Sequence, residues 1–580
     1  MENQRNMILA IVLSALVLFG WSAISEIYFP PPKPVPAAKA PAAQPTPGAP
    51  ATTPALPSTP VLRDVKAVLA EGNRVRIDTP KLRGSINLVG ARIDDLVLPT
   101  YGETAKKNSP PVRLLSPGGA KNSYFAGFGW SGDGLSAPGP DTVWTADNTV
   151  LTPQKPVNLR WANGAGQVFG IRIAVDDSYM FTIDQSVANT GAGAVGARAY
   201  GYVNRVKGAH SGGSMLAPTK DVDSWTMHIG PIGAFNQAVN YEVDYEDLDE
   251  AGAAGQRFQT RGGWLGFGET YWLTALVPPS GSSVDAGFRA GGGTYQAEFA
   301  MPQSLVAPGK AVSTRMQLFA GAKEVRALDG YEDAGVPLFG KAIDWGWFEI
   351  IEKPFFYLLD NLFKLVGNFG VAIIMLTFIV RGAMFPIAQR QFASMAAMRA
   401  VQPKLKALQE RYKDDKPKLQ QEMMKLYQQE KINPLAGCLP ILLQIPVFYA
   451  LYKVLMLTIE MRHQPFALWI HDLSAPDPAT VLNLFGLLPF DVPGILAIGV
   501  LPILLGITMW LQFKLNPAPM DPVQQQVFSI MPWIMMFLMA PFAAGLQLYW
   551  TVSNILTIAQ QKWLYSKHPA LKEPIVPAKA

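Results

Sequence analysis

Arg381 interrupts an apolar run, 368–388, whose other residues include Val371, Ile373, Ile374, Leu376, Phe378, Ile379 and Phe385. An arginine at the centre of a membrane helix costs about 2.5–3.5 kcal/mol, so it persists where it faces water, a partner charge or a polar cavity. Thr377 precedes it by four residues and so shares its helix face. Gln444 breaks a second apolar run, and Gln547, Trp550, Thr551 and Asn554 share one face of another. Asp and Glu are absent from all of the expected core spans, which leaves Arg381 to water or to a visiting acidic group. Two plainer readings compete: a flanking cation that snorkels from a span ending near Val380, and amides that merely bond neighbouring helices for about 0.6 kcal/mol each.

The elements that must position these groups follow from composition and periodicity. The 580 residues are 49% hydrophobic and 16% charged, which is too apolar for an ordinary soluble enzyme and too mixed for a pure transporter. A membrane protein carrying a soluble domain is therefore expected. The net charge of +5 is modest and does not indicate a nucleic-acid partner. The single cysteine, Cys438, excludes an intrachain disulfide and a cysteine-based zinc cluster, and no nucleotide or metal motif is present, so no cofactor is expected.

Residues 7–24 form a run just long enough to span, with Arg5 before it and Glu26 after it, and the positive-inside rule places the N-terminus in the cytoplasm. Ala23-Ile24-Ser25 offers a signal-peptide cleavage site, but bulky Trp21 and the single basic residue favour an uncleaved anchor over 1–28. Residues 29–60 read as an extended Pro/Ala linker that cannot build a core. Over 61–340, alternations such as Arg74-Val75-Arg76-Ile77-Asp78 and Phe169-Gly170-Ile171-Arg172-Ile173 predict a mostly antiparallel, all-β sandwich domain. Its histidines, His210 and His228, and its acidic stretch from Glu242 to Glu250 have no catalytic or calcium-loop spacing.

Residues 341–367 are aromatic and charged enough to lie in the membrane interface rather than cross it. The core 368–562 is expected to be all-α, with spans at 368–388, 436–457, 495–513, 527–539 and 542–558, six in all with the N-terminal anchor. Between the first two core spans, 389–432 reads as a cytoplasmic helical hairpin: Val401, Leu405 and Leu408 precede a Lys413-Asp-Asp-Lys-Pro417 turn, and Leu419, Met423 and Leu426 follow it. Arg399, Lys404, Lys406, Arg411, Lys413 and Lys416 make its basic surface. The short basic tail 563–580 falls inside too, giving a multi-pass, N-in/C-in topology with the β domain outside.

Four ordered stretches closely resemble the YidC membrane protein insertases of the YidC/Oxa/Alb family. They are Thr377-Phe-Ile-Val-Arg381-Gly-Ala-Met-Phe-Pro386, Asn433-Pro-Leu-Ala-Gly-Cys438-Leu-Pro440, Pro465-Phe-Ala-Leu-Trp-Ile-His471-Asp-Leu-Ser474 and Leu548-Tyr-Trp-Thr-Val-Ser-Asn554. The anchor and large β domain resemble the Gram-negative form, in which the periplasmic domain is a β-supersandwich. The resemblance implies five core helices around a hydrophilic groove open to cytoplasm and lipid, with Arg381 as the groove cation and Thr377 and Trp550 beside it. Relatives often have Tyr at the position of Trp550, and extra residues stand here around 485–493. It also implies an inner-membrane location, nascent membrane proteins as clients, and SecYEG and the ribosome as partners, the latter through the hairpin.

The expected function is thus a non-enzymatic insertase and chaperone, acting with or without the Sec translocon. Its groove would include Arg381, Thr377, Gln444, Gln547, Trp550 and Asn554. A small-solute anion transporter using Arg381 is the alternative, although the core spans lack the paired symmetry of transporter repeats. A membrane-tethered carbohydrate enzyme would need paired carboxylates or a cleft histidine in the β domain.

Overall fold

The computed structural model describes residues 63–208, 227–412, 415–430, 439–485, 488, 492, 497–515 and 522–567. The expected anchor 1–28 and linker 29–60, with His210, Lys413, the cytoplasmic tail beyond 567 and the start of the second span, lie outside the described residues.

The expected β sandwich is present as two sheets. The larger pairs, in order, Gln256–Arg261, Ser283–Gly291, Thr294–Ala300, Val195–Val206, Tyr124–Ser131, Arg92–Gly102, Arg83–Asn87, Arg74–Asp78 and Val150–Leu151. Pro111–Leu115 and Ser304–Val306 attach to it off this path. The second runs Ala238–Asn240, Gly230–Phe235, Trp264–Gly268, Trp272–Val277, Lys310–Ala322, Met180–Asn189, Gln167–Val175, Val157–Ala162 and Thr145–Ala146. Among the described strands the pairings are antiparallel except where Arg74–Asp78 meets Val150–Leu151. Where one face is buried, alternation is clean: Val75 and Ile77, and likewise Phe169, Ile171 and Ile173, point into the core.

Three short helices, α1 (Val65–Leu69), α2 (Tyr245–Ala251) and α3 (Val325–Asp333), accompany the sheets. Eight more follow. α4 (Glu349–Val366) ends where Gly367 adopts φ +69° and its N–H closes back on the Phe363 carbonyl, a left-handed cap that suits glycine. Asn368 then caps α5 (Phe369–Ala383), its side chain accepting from the Val371 N–H at 3.1 Å. α6 (Phe385–Arg411) and α7 (Lys416–Gln429) pack against each other, with Val401 and Leu405 buried against Met423, Leu426 and Tyr427. Asp415 starts α7 by accepting from the Lys418 N–H at 3.1 Å. The remaining helices are α8 (Leu439–Leu457), α9 (Val500–Leu515), α10 (Pro522–Met539) and α11 (Ala544–Lys567).

Two boundaries differ from expectation. The run 368–388 is not one helix: Pro386 has no N–H to continue the ladder, so α5 stops at Ala383 and α6 begins at Phe385. Arg381 consequently sits in the last turn of α5 rather than in mid-span. At the other end α11 continues to Lys567, beyond the expected core limit at 562. Among the described residues no helix is long and apolar enough to cross a membrane; the five expected core spans correspond to α5, α8, α9, α10 and α11.

The sheets share one continuous hydrophobic core with α4, α5, α8, α9, α10 and α11, whereas the α6–α7 hairpin packs around a cluster of its own. At their junction Glu460, which follows α8, accepts from the Val325 N–H at 2.9 Å and so serves the N-terminus of α3. Glu324, the residue at that cap, is turned instead to Lys81 (2.6 Å), Tyr101 (2.9 Å) and Tyr179 (2.6 Å). Arg326 on α3 donates to Asp360 on α4 at 2.7 Å. Arg462 reaches the carbonyls of Gly102 (2.9 Å) and Glu103 (3.3 Å) while lying over the Tyr271 and Trp272 rings.

Candidate functional site

Arg381 leaves α5 toward α11. Its Nε donates to Ser553 Oγ at 3.0 Å; its Nη2 donates to the same oxygen at 2.7 Å and to the Ser553 carbonyl at 3.1 Å. The side chain is half-buried, and no carboxylate reaches it among the described residues. A guanidinium with neutral acceptors on one edge and no counter-charge retains its attraction for an anion.

The other expected groove residues are only partly gathered around it. Thr377, one turn earlier, is fully buried and returns its hydroxyl to the Ile373 carbonyl at 2.7 Å, a bond internal to α5. Gln444 on α8 donates to the Tyr549 hydroxyl at 2.8 Å, and Tyr549 lies close enough to Arg381 to interact with it electrostatically. Trp550 packs edge-on against Phe448 of α8, ring centroids 4.9 Å apart. Asn554 donates to Thr508 of α9 at 3.2 Å. α5, α8, α9 and α11 thus contribute polar groups along one side of α11.

Gln547 does something different. Its amide nitrogen donates to the carbonyls of Met539 and Phe542 at 2.8 Å each and contacts that of Ala540 at 3.4 Å, so it closes the end of α10 and the turn into α11. Lys404 on the hairpin pairs with Glu430 at 2.6 Å, whereas Arg411 is exposed. Arg399 and Lys406 lie on α6, and Lys416 opens α7.

Two residues escaped the sequence reading. Ser553 was hidden because a serine in a helix carries no charge; its spacing of three from Trp550 and four from Thr557 was the available sign. Lys453, a second cation in an apolar run, is 2% exposed and donates to the Asp344 carbonyl at 2.7 Å, anchoring α8 to the segment before α4. Among the described residues no group of His, Cys, Asp and Glu could hold a metal ion.

Comparison with known proteins matches this architecture along its length. The YidC periplasmic domain family matches residues 74–358, and the 60Kd inner membrane protein family matches 361–571. The membrane protein insertase YidC of Zymomonas mobilis is 49% identical over 577 residues, covering 99% of this chain and 97% of its own. That of Rhizobium etli is 43% identical, covering 98% and 96%. The crystal structure of an active YidC insertase with its first transmembrane domain resolved matches at 16% identity over 85% of this chain and 95% of its own, with a TM-score of 0.35. A galactose mutarotase-like protein from Lactobacillus casei matches 43% of this chain at 10% identity and a TM-score of 0.27, a likeness that says nothing of activity. With relatives of this identity aligned from end to end, the chain belongs to the YidC family of membrane protein insertases.

Proposed function

We propose that Arg381 is the receiving cation of an insertion groove formed by α5, α8, α9 and α11. A nascent membrane protein brings a short polar, often acidic, leading segment into the groove, where Arg381 attracts it, while its apolar segment moves into lipid. Hydrating the groove shortens the path over which the polar segment lacks solvent, and that path sets the barrier. The observation that carries this reading is the placement of Arg381 against α11 with a serine, not a carboxylate, as its partner.

In this arrangement residues 1–28 anchor the chain and 29–60 link it to the periplasmic β domain, 61–340. The core spans are 368–388, 436–457, 495–513, 527–539 and 542–558, the first broken after Ala383, one turn past the middle, and both termini are cytoplasmic. α4 and the turn before it lie in the interface, with Trp347 of the turn and Ile350 of α4, exposed at 73% and 82%, toward lipid. The basic hairpin α6–α7 meets the ribosome and nascent chain through Arg399, Lys404, Lys406, Arg411, Lys413 and Lys416, and the core works alone or beside SecYEG. Thr377, Gln444, Trp550 and Asn554 line the groove, and Gln547 holds the α10–α11 turn that shapes its far end.

The test is depletion of the protein in cells, complemented by wild type, Arg381→Ala or Arg381→Lys, while protease accessibility of a single-span client with a short acidic tail is followed. Arg381→Ala slows insertion about tenfold and Arg381→Lys recovers part of it. Wild-type rates with Arg381→Ala would remove Arg381 from the mechanism.

A further inference from the structure

An arginine carries five N–H donors, and the way its partner holds them decides which edge meets a ligand. Ser553 takes Nε and Nη2, the side-on edge, using its hydroxyl twice and its carbonyl once. Nη1 makes no hydrogen bond among the described residues. The holding group is itself fixed: Ser553 is 2% exposed on α11, and its carbonyl also accepts from the Thr557 hydroxyl at 2.7 Å, one turn on.

Arg381 stands in the last turn of α5, and a long cationic side chain so near a helix end swings toward water unless something opposes it. The two acceptors of Ser553 oppose it, drawing the guanidinium sideways across the gap to α11. We infer that Ser553 is the positioning residue of the groove cation: it holds Arg381 by the Nε edge, prevents its escape to the cytoplasmic surface, and leaves the Nη1 amino group as the donor for an incoming carboxylate. This inference rests on the reading of Arg381 as the client-binding cation. It assigns to Ser553 the selection of acidic leading segments, a role distinct from holding the helices together.

The experiment uses the full chain in depleted cells and two single-span clients whose translocated tails differ only in carrying two Asp or two Asn residues. Ser553→Ala, which removes both bonds to the hydroxyl, lowers insertion of the Asp-tailed client by at least about tenfold and leaves the Asn-tailed client within about twofold. Ser553→Thr, which keeps the hydroxyl, restores the Asp-tailed client. In an Arg381→Lys background, which lacks the Nε donor, Ser553→Ala has little further effect. Equal loss on both clients, or wild-type behaviour of Ser553→Ala while Arg381→Ala is impaired, would overturn the positioning role. Failure of Arg381→Ala to distinguish the two clients would instead overturn the underlying reading of Arg381.

Discussion

Glu460 is a carboxylate in an unusual place: it comes from beyond α8 to complete the N-terminus of α3, and burial pushes its carboxyl up to about 7, with Glu324 nearby adding to the rise. In the unfolded chain the same group titrates near 4.5, so the folded protein binds the extra proton between these values. Its contribution to stability is therefore full below about 4.5 and is lost as pH rises through about 7, by about 3 kcal/mol at most. Melting curves of the detergent-solubilised protein between pH 4.5 and 8 should show this decline, and Glu460→Gln should flatten it. Unchanged pH dependence in Glu460→Gln would place the titration elsewhere. Nothing in the sequence marks Glu460, because the partner it serves is 135 residues away.

The joint between α5 and the loop after α8 depends on a missing side chain. A Cβ on Gly370 would lie 2.0 Å from Phe466 Cδ2 and 2.7 Å from its Cβ, and the same loop is tied by Asn368 Nδ2 donating to the Phe466 carbonyl at 2.9 Å. Gly370→Ala should destabilise by about 1–3 kcal/mol, and Phe466→Ala in the same chain should recover part of that loss, as thermal unfolding would report. At this scale much was readable in advance. The hairpin's Val401 and Leu405 against Met423 and Leu426, and the strand alternation of Phe169, Ile171 and Ile173, follow from period alone. Strands such as Trp264–Gly268 and Thr294–Ala300 are buried on both faces and show no alternation to find. The helix break after Arg381 was visible in Pro386 yet masked by the apolar residues around it. In the site, the residue types of Arg381, Gln444 and Asn554 stood out, whereas Ser553 and the turn carbonyls held by Gln547 are set by how helices meet, which one chain's spacing does not encode.

Among the described residues a few polar contacts tie the sheets to the helices across an otherwise apolar junction. Arg462, with two carbonyls of the β domain at 2.9 and 3.3 Å and two aromatic rings beneath it, is the densest of these. Arg462→Ala should loosen the seat by about 2–4 kcal/mol and split a single calorimetric transition in two, the helices and the sheets melting separately. A single transition at the wild-type temperature would show that the shared core suffices. The order of strands has a consequence in time as well. Lys310–Ala322 joins two otherwise separate halves of the second sheet, Met180–Asn189 on one side and Trp272–Val277 on the other, and it is the last of the described strands in chain order. During synthesis the halves wait for it, so the β domain closes only once nearly all of its own length has been made. A freshly made copy therefore passes through a stage with unpaired sheet edges, just before the helices that follow the β domain are made.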